Sequence, residues 1–193
     1  MEIGQKLYVK TRRQWRAWLR ANHTRKKEIW LIYYKKDSGK PRIPYNDSVE
    51  EALCYGWIDS TLKPIDKEKY AQRFSPRRKD SKFLSEMNRE RVKRLMKNGT
   101  MTSTGLATIK HLLDGIGRDP ALRNDQLVLP ASLKRALTKD LQTWKNFMAF
   151  PESYKKIRVG WIVAAKHRPE IYRQRLRYFL KMTAQNKKFG MVR

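Results

Sequence analysis

The sequence predicts an α+β protein, with a small antiparallel sheet of about three strands and helices in the N-terminal part and an all-helical C-terminal part. Three observations predict it. Short aromatic and β-branched segments, at 28–36, 57–62 and 69–75, all precede Pro76. Beyond Pro130, apolar residues recur at helical spacing. The chain has 193 residues, 40% of them apolar, with six Trp, nine Tyr and six Phe, which suits one good core with at most a smaller appendage.

The elements follow in order. Thr11 and Gln14 have capping-box spacing, and Trp15, Trp18 and Leu19 then share a helical face from which Arg13, Arg16 and Arg20 fall away. The segment 28–36 is apolar on both alternating faces, so it reads as a central strand covered on both sides. Asp37-Ser38-Gly39 supplies a turn. Asp47 with Glu50 offers a second capping box ahead of a stripe of Val49, Ala52 and Leu53, and Gly56 ends that helix. Residues 57–62 alternate as a strand, and 69–75, with Tyr70, Gln72 and Phe74 on one face, pairs with it.

After Pro76 the period becomes helical. Ser81 or Ser85 caps a helix carrying Val92, Leu95 and Met96 that ends near Gly99. Thr102 or Ser103 caps another, with Leu106, Ile109 and Leu113 in register and stops at Gly115 and Gly117. Residues 117–129 have no period and read as a linker between an α+β unit at 1–116 and a helical unit at 130–193. In the helical unit, Leu133 with Leu137, Leu141 with Trp144 and Met148, and Tyr154 through Ala165 trace apolar stripes. Pro169 opens the last helix, which puts Tyr172, Leu176 and Phe179 on one side and the cationic row Arg173, Arg177 and Lys181 on another.

The charge balance directs the choice of partner. Lys and Arg number 45 against 18 Asp and Glu, a formal charge of +27, and such a field draws in polyanions. The single cysteine, Cys54, excludes an intramolecular disulfide and suits a reducing compartment. No apolar run approaches the roughly 20 residues of a membrane span, and no secretory signal is legible at Met1, so a cytoplasmic location is expected.

Little in the sequence announces catalysis. Cys54 lies near a helix C-terminus, where the dipole disfavours a thiolate, and reads as a small buried residue packing Trp57. His23, His111 and His167 lack ligand spacing, so no metal and no cofactor is expected. Glu50, Glu51 and Asp59 are accounted for by capping and by pairing with surplus arginine.

Several segments together resemble one bacterial family. They are Trp15-Arg-Ala-Trp-Leu19, Trp30-Leu-Ile-Tyr-Tyr-Lys-Lys36, Ala52-Leu-Cys-Tyr-Gly-Trp-Ile-Asp59 and Gln72-Arg-Phe-Ser-Pro-Arg77, followed by Asn88-Arg-Glu-Arg-Val92 and, near the C-terminus, Trp161-Ile162 and Arg173-Gln-Arg175. By these the chain resembles the YdeI/OmpD-associated, or bacteriocin-protection, proteins. The resemblance implies a link to tolerance of bacteriocins and cationic peptides, and it brings no established reaction and no catalytic residues.

Two readings follow. In the first, the chain is a non-enzymatic basic binding protein whose partner is a polyanion: nucleic acid, an anionic envelope component or an acidic protein surface. Lys35, Lys36, Arg73 and Arg77 would converge at one sheet edge, and Arg173, Arg177 and Lys181 would add a second surface. In the second, it is a small-molecule enzyme or ligand-binding domain with a pocket beside the sheet lined by Tyr33, Cys54, Trp57 and Asp59.

Overall fold

The computed structural model describes residues 2–113 and 127–190. These form two compact units, one of residues 2–82 with 91–113 and one of 83–90 with 127–190. The expected stops at Gly115 and Gly117, and most of the expected linker at 117–129, lie outside the described residues.

The first unit is built on a sheet of strands β1 (Lys6–Leu7), β2 (Ile29–Tyr34), β3 (Trp57–Pro64) and β4 (Lys69–Pro76), in the order β1-β2-β4-β3. The expected sheet of about three antiparallel strands is thus corrected to four. The added strand β1 runs parallel to β2, with Lys6 opposite Trp30 and Leu7 opposite Leu31. Two residues are too few to show a period of two, so only the pairing reveals that strand.

β2 lies between β1 and β4 and is buried on both faces, as its apolar run implies. Ile29, Leu31 and Tyr33 face the main core with Trp15, Leu19, Leu53 and Phe74. Trp30 and Ile32 turn to the opposite face, where Ala71, Ile3 and Ile65 cover them. A register shift between Asp59 and Leu62 interrupts the β3–β4 ladder, and Gln72 Nε2 donates to the Ser60 carbonyl there at 2.9 Å.

Helix α1 (Arg12–Asn22) begins at the expected capping box, both halves of which are present at Thr11 and Gln14. Trp15 and Leu19 point into the core, and the Trp15 indole N–H donates to the Ser48 carbonyl at 2.9 Å. Helix α2 (Tyr45–Cys54) starts two residues before the expected cap. Pro44 stands at its N-cap with no side-chain cap bond, so the expected Asp47–Glu50 capping box is corrected: both residues are inside the helix. Glu50 and Glu51 are instead buried and paired with arginine.

Helix α3 (Glu86–Lys97) is capped by Ser85, whose Oγ accepts from Asn88 N–H at 3.3 Å. Val92 and Leu95 are buried, but Met96 is exposed. Helix α4 (Ser103–Leu113) is capped by Thr102, which accepts from Gly105 N–H at 3.1 Å. Its fully buried positions are Gly105, Ile109 and Leu112; the expected Leu113 packs half-buried against the same core, and Leu106 is half-buried. Gly105 is there because a Cβ would overlap the Cys54 carbonyl at the end of α2. The same carbonyl accepts from Thr102 Oγ at 2.5 Å, so the electronegative end of α2 meets the electropositive start of α4.

The second unit carries α5 (Ala131–Thr138), α6 (Leu141–Ala149), α7 (Glu152–Val163) and α8 (Pro169–Ala184). Leu133, Leu137, Phe147, Val159, Ile162 and Phe179 form its core. The expected α6 stripe is corrected by one helical position. Leu141 and Met148 are exposed, while Thr143, Asn146 and Phe147 face inward; the expected Trp144 packs half-buried against the core beside Phe147. Asn146 is buried because its amide donates to the Thr183 and Ala184 carbonyls, 2.9 and 3.1 Å away at the end of α8.

Candidate functional site

The outer face of α1 forms an open groove of about 730 Å³ lined by Arg13, Arg16, Ala17, Arg20, Ala21 and Tyr55. The helical period assembles it: positions 13, 16, 17 and 20 fall on one stripe beside the buried Trp15–Leu19 face. Two alanines leave the floor open, and the ring of Tyr55, at the C-cap of α2, makes the wall. Arg13 and Arg20 are exposed, while Arg16 is half-buried. The Arg16 guanidinium lies 5.5 Å from the Tyr55 ring centroid. Burial works against its charge, but hydrogen bonding and attraction to Glu51 outweigh that and raise its pKa above the ordinary value.

The four cations expected at one sheet edge do not gather. Lys35 and Lys36 are exposed just beyond the end of β2, near Lys40, whose Nζ sits 4.8 Å from the Tyr34 ring centroid and 2.9 Å from Glu68. Arg73 is opposite Trp30, toward the other end of β2. It holds Glu28 side-on, with Nε and Nη2 each 2.7 Å from Oε2. Hydrogen bonds from Arg73 and from the Trp30 indole keep the Glu28 pKa below the ordinary carboxylate value. Arg77 lies past β4, is 7% exposed, and donates to Ser81 Oγ at 3.2 Å. Burial lowers its pKa, with Asp59 acting in the opposite direction.

The four pocket candidates occupy packed or bridged positions. The Tyr33 ring stacks on Tyr70 and its hydroxyl meets Ser48 Oγ at 2.5 Å; burial pushes its pKa well up. Cys54 is fully buried, and burial together with the charge of Glu51 raises its thiol pKa. Trp57 is buried, with its indole N–H donating to the His23 carbonyl at 3.1 Å. Asp59 is half-buried and accepts from the Tyr45 hydroxyl at 2.5 Å.

In the second unit, Arg173, Arg177 and Lys181 are exposed in one row along α8. Arg175, between them in sequence, turns toward Trp161: its guanidinium lies 4.8 Å from that ring and donates to the Trp161 carbonyl at 2.5 Å. Among the described residues, no group of His, Cys, Asp and Glu is arranged to hold a metal ion. No helix among them is long and apolar enough to cross a membrane.

The α1 groove was not singled out from the sequence. Its signal was present in the arginines at 13, 16 and 20, but the wall depends on Tyr55, 35 positions after Arg20.

Two domains with known sequence relatives compose the chain. Residues 7–108, more than half of it, match a family described as a domain of unknown function (DUF8412), and residues 126–186 match the family described as Bacteriocin-protection, YdeI or OmpD-Associated. The chain therefore belongs to the DUF8412 family, and its residues 126–186 carry a bacteriocin-protection, YdeI or OmpD-associated domain. Comparison with curated proteins and with solved structures gives no significant match.

Proposed function

We propose that this chain is a non-enzymatic basic binding protein whose partner is a polyanion. The observation that carries the reading is the groove of Arg13, Arg16 and Arg20 against Tyr55, on a chain of formal charge +27. Such a groove offers cations to phosphates or carboxylates. The α8 row of Arg173, Arg177 and Lys181 is a second cationic surface of the same kind. Lys35, Lys36, Arg73 and Arg77 contribute to the overall field; of these, Lys35 and Lys36 are the exposed ones.

A link to bacteriocin and cationic-peptide tolerance follows in physical terms. A cationic protein seated on an anionic surface competes for the charges that a cationic peptide needs. The buried, proton-retaining thiol of Cys54 and the packed indole of Trp57 lend no support to nucleophilic chemistry beside the sheet.

The test is fluorescence anisotropy with labelled DNA, RNA and an anionic polysaccharide across a salt series. A surface that neutralises about six phosphates loses about a thousandfold in affinity between about 50 and about 200 mM salt. Binding that persists near physiological salt and prefers one polymer supports the reading. Weak binding that vanishes there without preference overturns it.

A further inference from the structure

Arg158 of α7 is only 4% exposed, and its Nε and Nη2 have no hydrogen-bond partner among the described residues. Both donors lie on the same edge of the guanidinium. Elsewhere in this chain that edge grips carboxylates: Arg73 holds Glu28 with Nε and Nη2 at 2.7 Å, and Arg78 holds Asp80 at 3.0 and 2.7 Å. A guanidinium does not lose its proton in a protein, so Arg158 remains charged.

The surroundings are aromatic. The centres of Phe189, Tyr154 and Trp161 lie 4.7, 5.5 and 5.8 Å from the Arg158 guanidinium carbon. Ring faces attract the cation but provide no acceptor in the guanidinium plane. The end of the described chain packs over the group. Phe189 N–H donates to the Tyr154 hydroxyl at 3.2 Å, and Gly190, at φ +76°, comes so near that a Cβ would lie 2.9 Å from Nη1 and Nη2. Burial lowers the Arg158 pKa, and the one charge that opposes this is that of Tyr154.

We propose that Arg158 is a binding site for a small oxyanion, held side-on by two oxygens against Nε and Nη2 and covered by Phe189 and Gly190. The shared chemistry is a pair of oxygens on one centre, as in a carboxylate or a phosphate. This site is separate from the α1 groove: it lies in the other unit and takes a single small anion rather than a polymer.

Thermal unfolding of the full chain in sodium chloride, acetate or phosphate, at constant ionic strength, tests the proposal. Acetate or phosphate is expected to raise the midpoint in a saturable way that chloride does not reproduce. Arg158→Lys, which keeps the charge but not the fork, and Arg158→Met should each weaken that response at least about tenfold. Arg135→Gln, at an exposed position of α5, should retain it. A response to acetate identifies a carboxylate site, and a response to phosphate identifies a phosphate site. An equal response in Arg158→Met overturns the proposal. Should that variant not fold, the arginine Nε–H NMR resonance absent from Arg158→Lys decides: it must shift on titration of the wild-type chain, and a resonance that stays put at saturation overturns the site. Polyanion anisotropy should be the same for Arg158→Lys and wild type, so the two proposals fail separately.

Discussion

Arg16 Nη1 donates to Glu51 Oε2 at 2.7 Å, while its Nη2 reaches the Thr100 carbonyl at 3.0 Å. One side chain therefore ties α1 to α2 and to the loop before α4, and it also lines the cationic groove. The three arginines of that groove are not equivalent: Arg16 is committed to the fold, whereas Arg13 and Arg20 are exposed.

Replacing Arg13 and Arg20 together by Gln should weaken polyanion binding and reduce the slope of log affinity against log salt by about two. The unfolding midpoint should stay at its wild-type value. Arg16→Gln should lower that midpoint instead. If the double variant binds as wild type does, the binding surface is the α8 row, and Arg173→Gln with Arg177→Gln is the next pair to measure.

Glu51 is 2% exposed and accepts from both Arg12 and Arg16, while Glu50, 3% exposed, pairs with Arg12 and Arg94. Glu51→Ala takes one carboxylate partner from each of two arginines; Arg12 keeps Glu50 and Arg16 keeps the Thr100 carbonyl, and both are partly in contact with water. Discounting the cost of breaking a buried pair for that screening leaves about 2–3 kcal/mol of lost stability. Urea unfolding, at unchanged dependence on denaturant, measures it. A loss near zero would mean that water replaces the carboxylate without penalty.

Gly105→Ala should destabilise the first unit although alanine favours a helix, because the added methyl meets the Cys54 carbonyl backbone rather than a movable side chain. Gly99→Ala makes a useful contrast. Nothing lies within 4 Å of a Cβ there, but φ is +64°. Its cost should be only the modest left-handed strain of about 1 kcal/mol. Equal losses for the two variants would remove packing as the reason for Gly105.

Cys54 should react with a maleimide far more slowly in the native chain than in urea, because the thiol is buried and its pKa is raised by burial and by Glu51. The raised native pKa also fixes a pH effect. The thiol contributes no loss of stability below its unfolded pKa, about 8.5. As pH rises above that value, the unfolded chain ionises first and stability falls. Denaturant midpoints between about pH 7 and about pH 10, compared with Cys54→Ala, isolate this slope.

Glu28 has the opposite sign. Its native pKa is lowered by Arg73 and the Trp30 indole, so its contribution is complete above the unfolded value of about 4.3. It is lost as pH falls through the native pKa. Carboxylate NMR of Glu28 should report a midpoint below that of a free glutamate, and Arg73→Gln should return it to the ordinary range.

Local signals carried much of the architecture. Thr11 with Gln14 marked the start of α1, the two-faced run 29–34 marked a central strand, and Pro169 marked the start of α8; each depends on residues near in sequence. The resemblance also rested on contiguous strings: those at 161–162 and 173–175 lie in the residues 126–186 that match the family it named, while those between 15 and 92 lie in the DUF8412 match at 7–108. Where the sequence reading failed, a distant partner decided. Glu50 resembled half of a capping box until α1 and α3 supplied Arg12 and Arg94, and Lys6–Leu7 became a strand only because β2 offered an edge.

The sequence by itself determined the charge of +27, the single thiol, the order of most helices and strands, and the family of the domain at 126–186, since all of these are properties of composition or of neighbours along the chain. Only the tertiary structure decided which cations are available. Arg73 is held by Glu28 and Arg16 by Glu51, Arg77 and Arg158 are buried, and Arg13 and Arg20 stand beside Tyr55. The physical reason is that a side chain's charge is written in the sequence, but its exposure and its counter-charge depend on residues that only folding brings near.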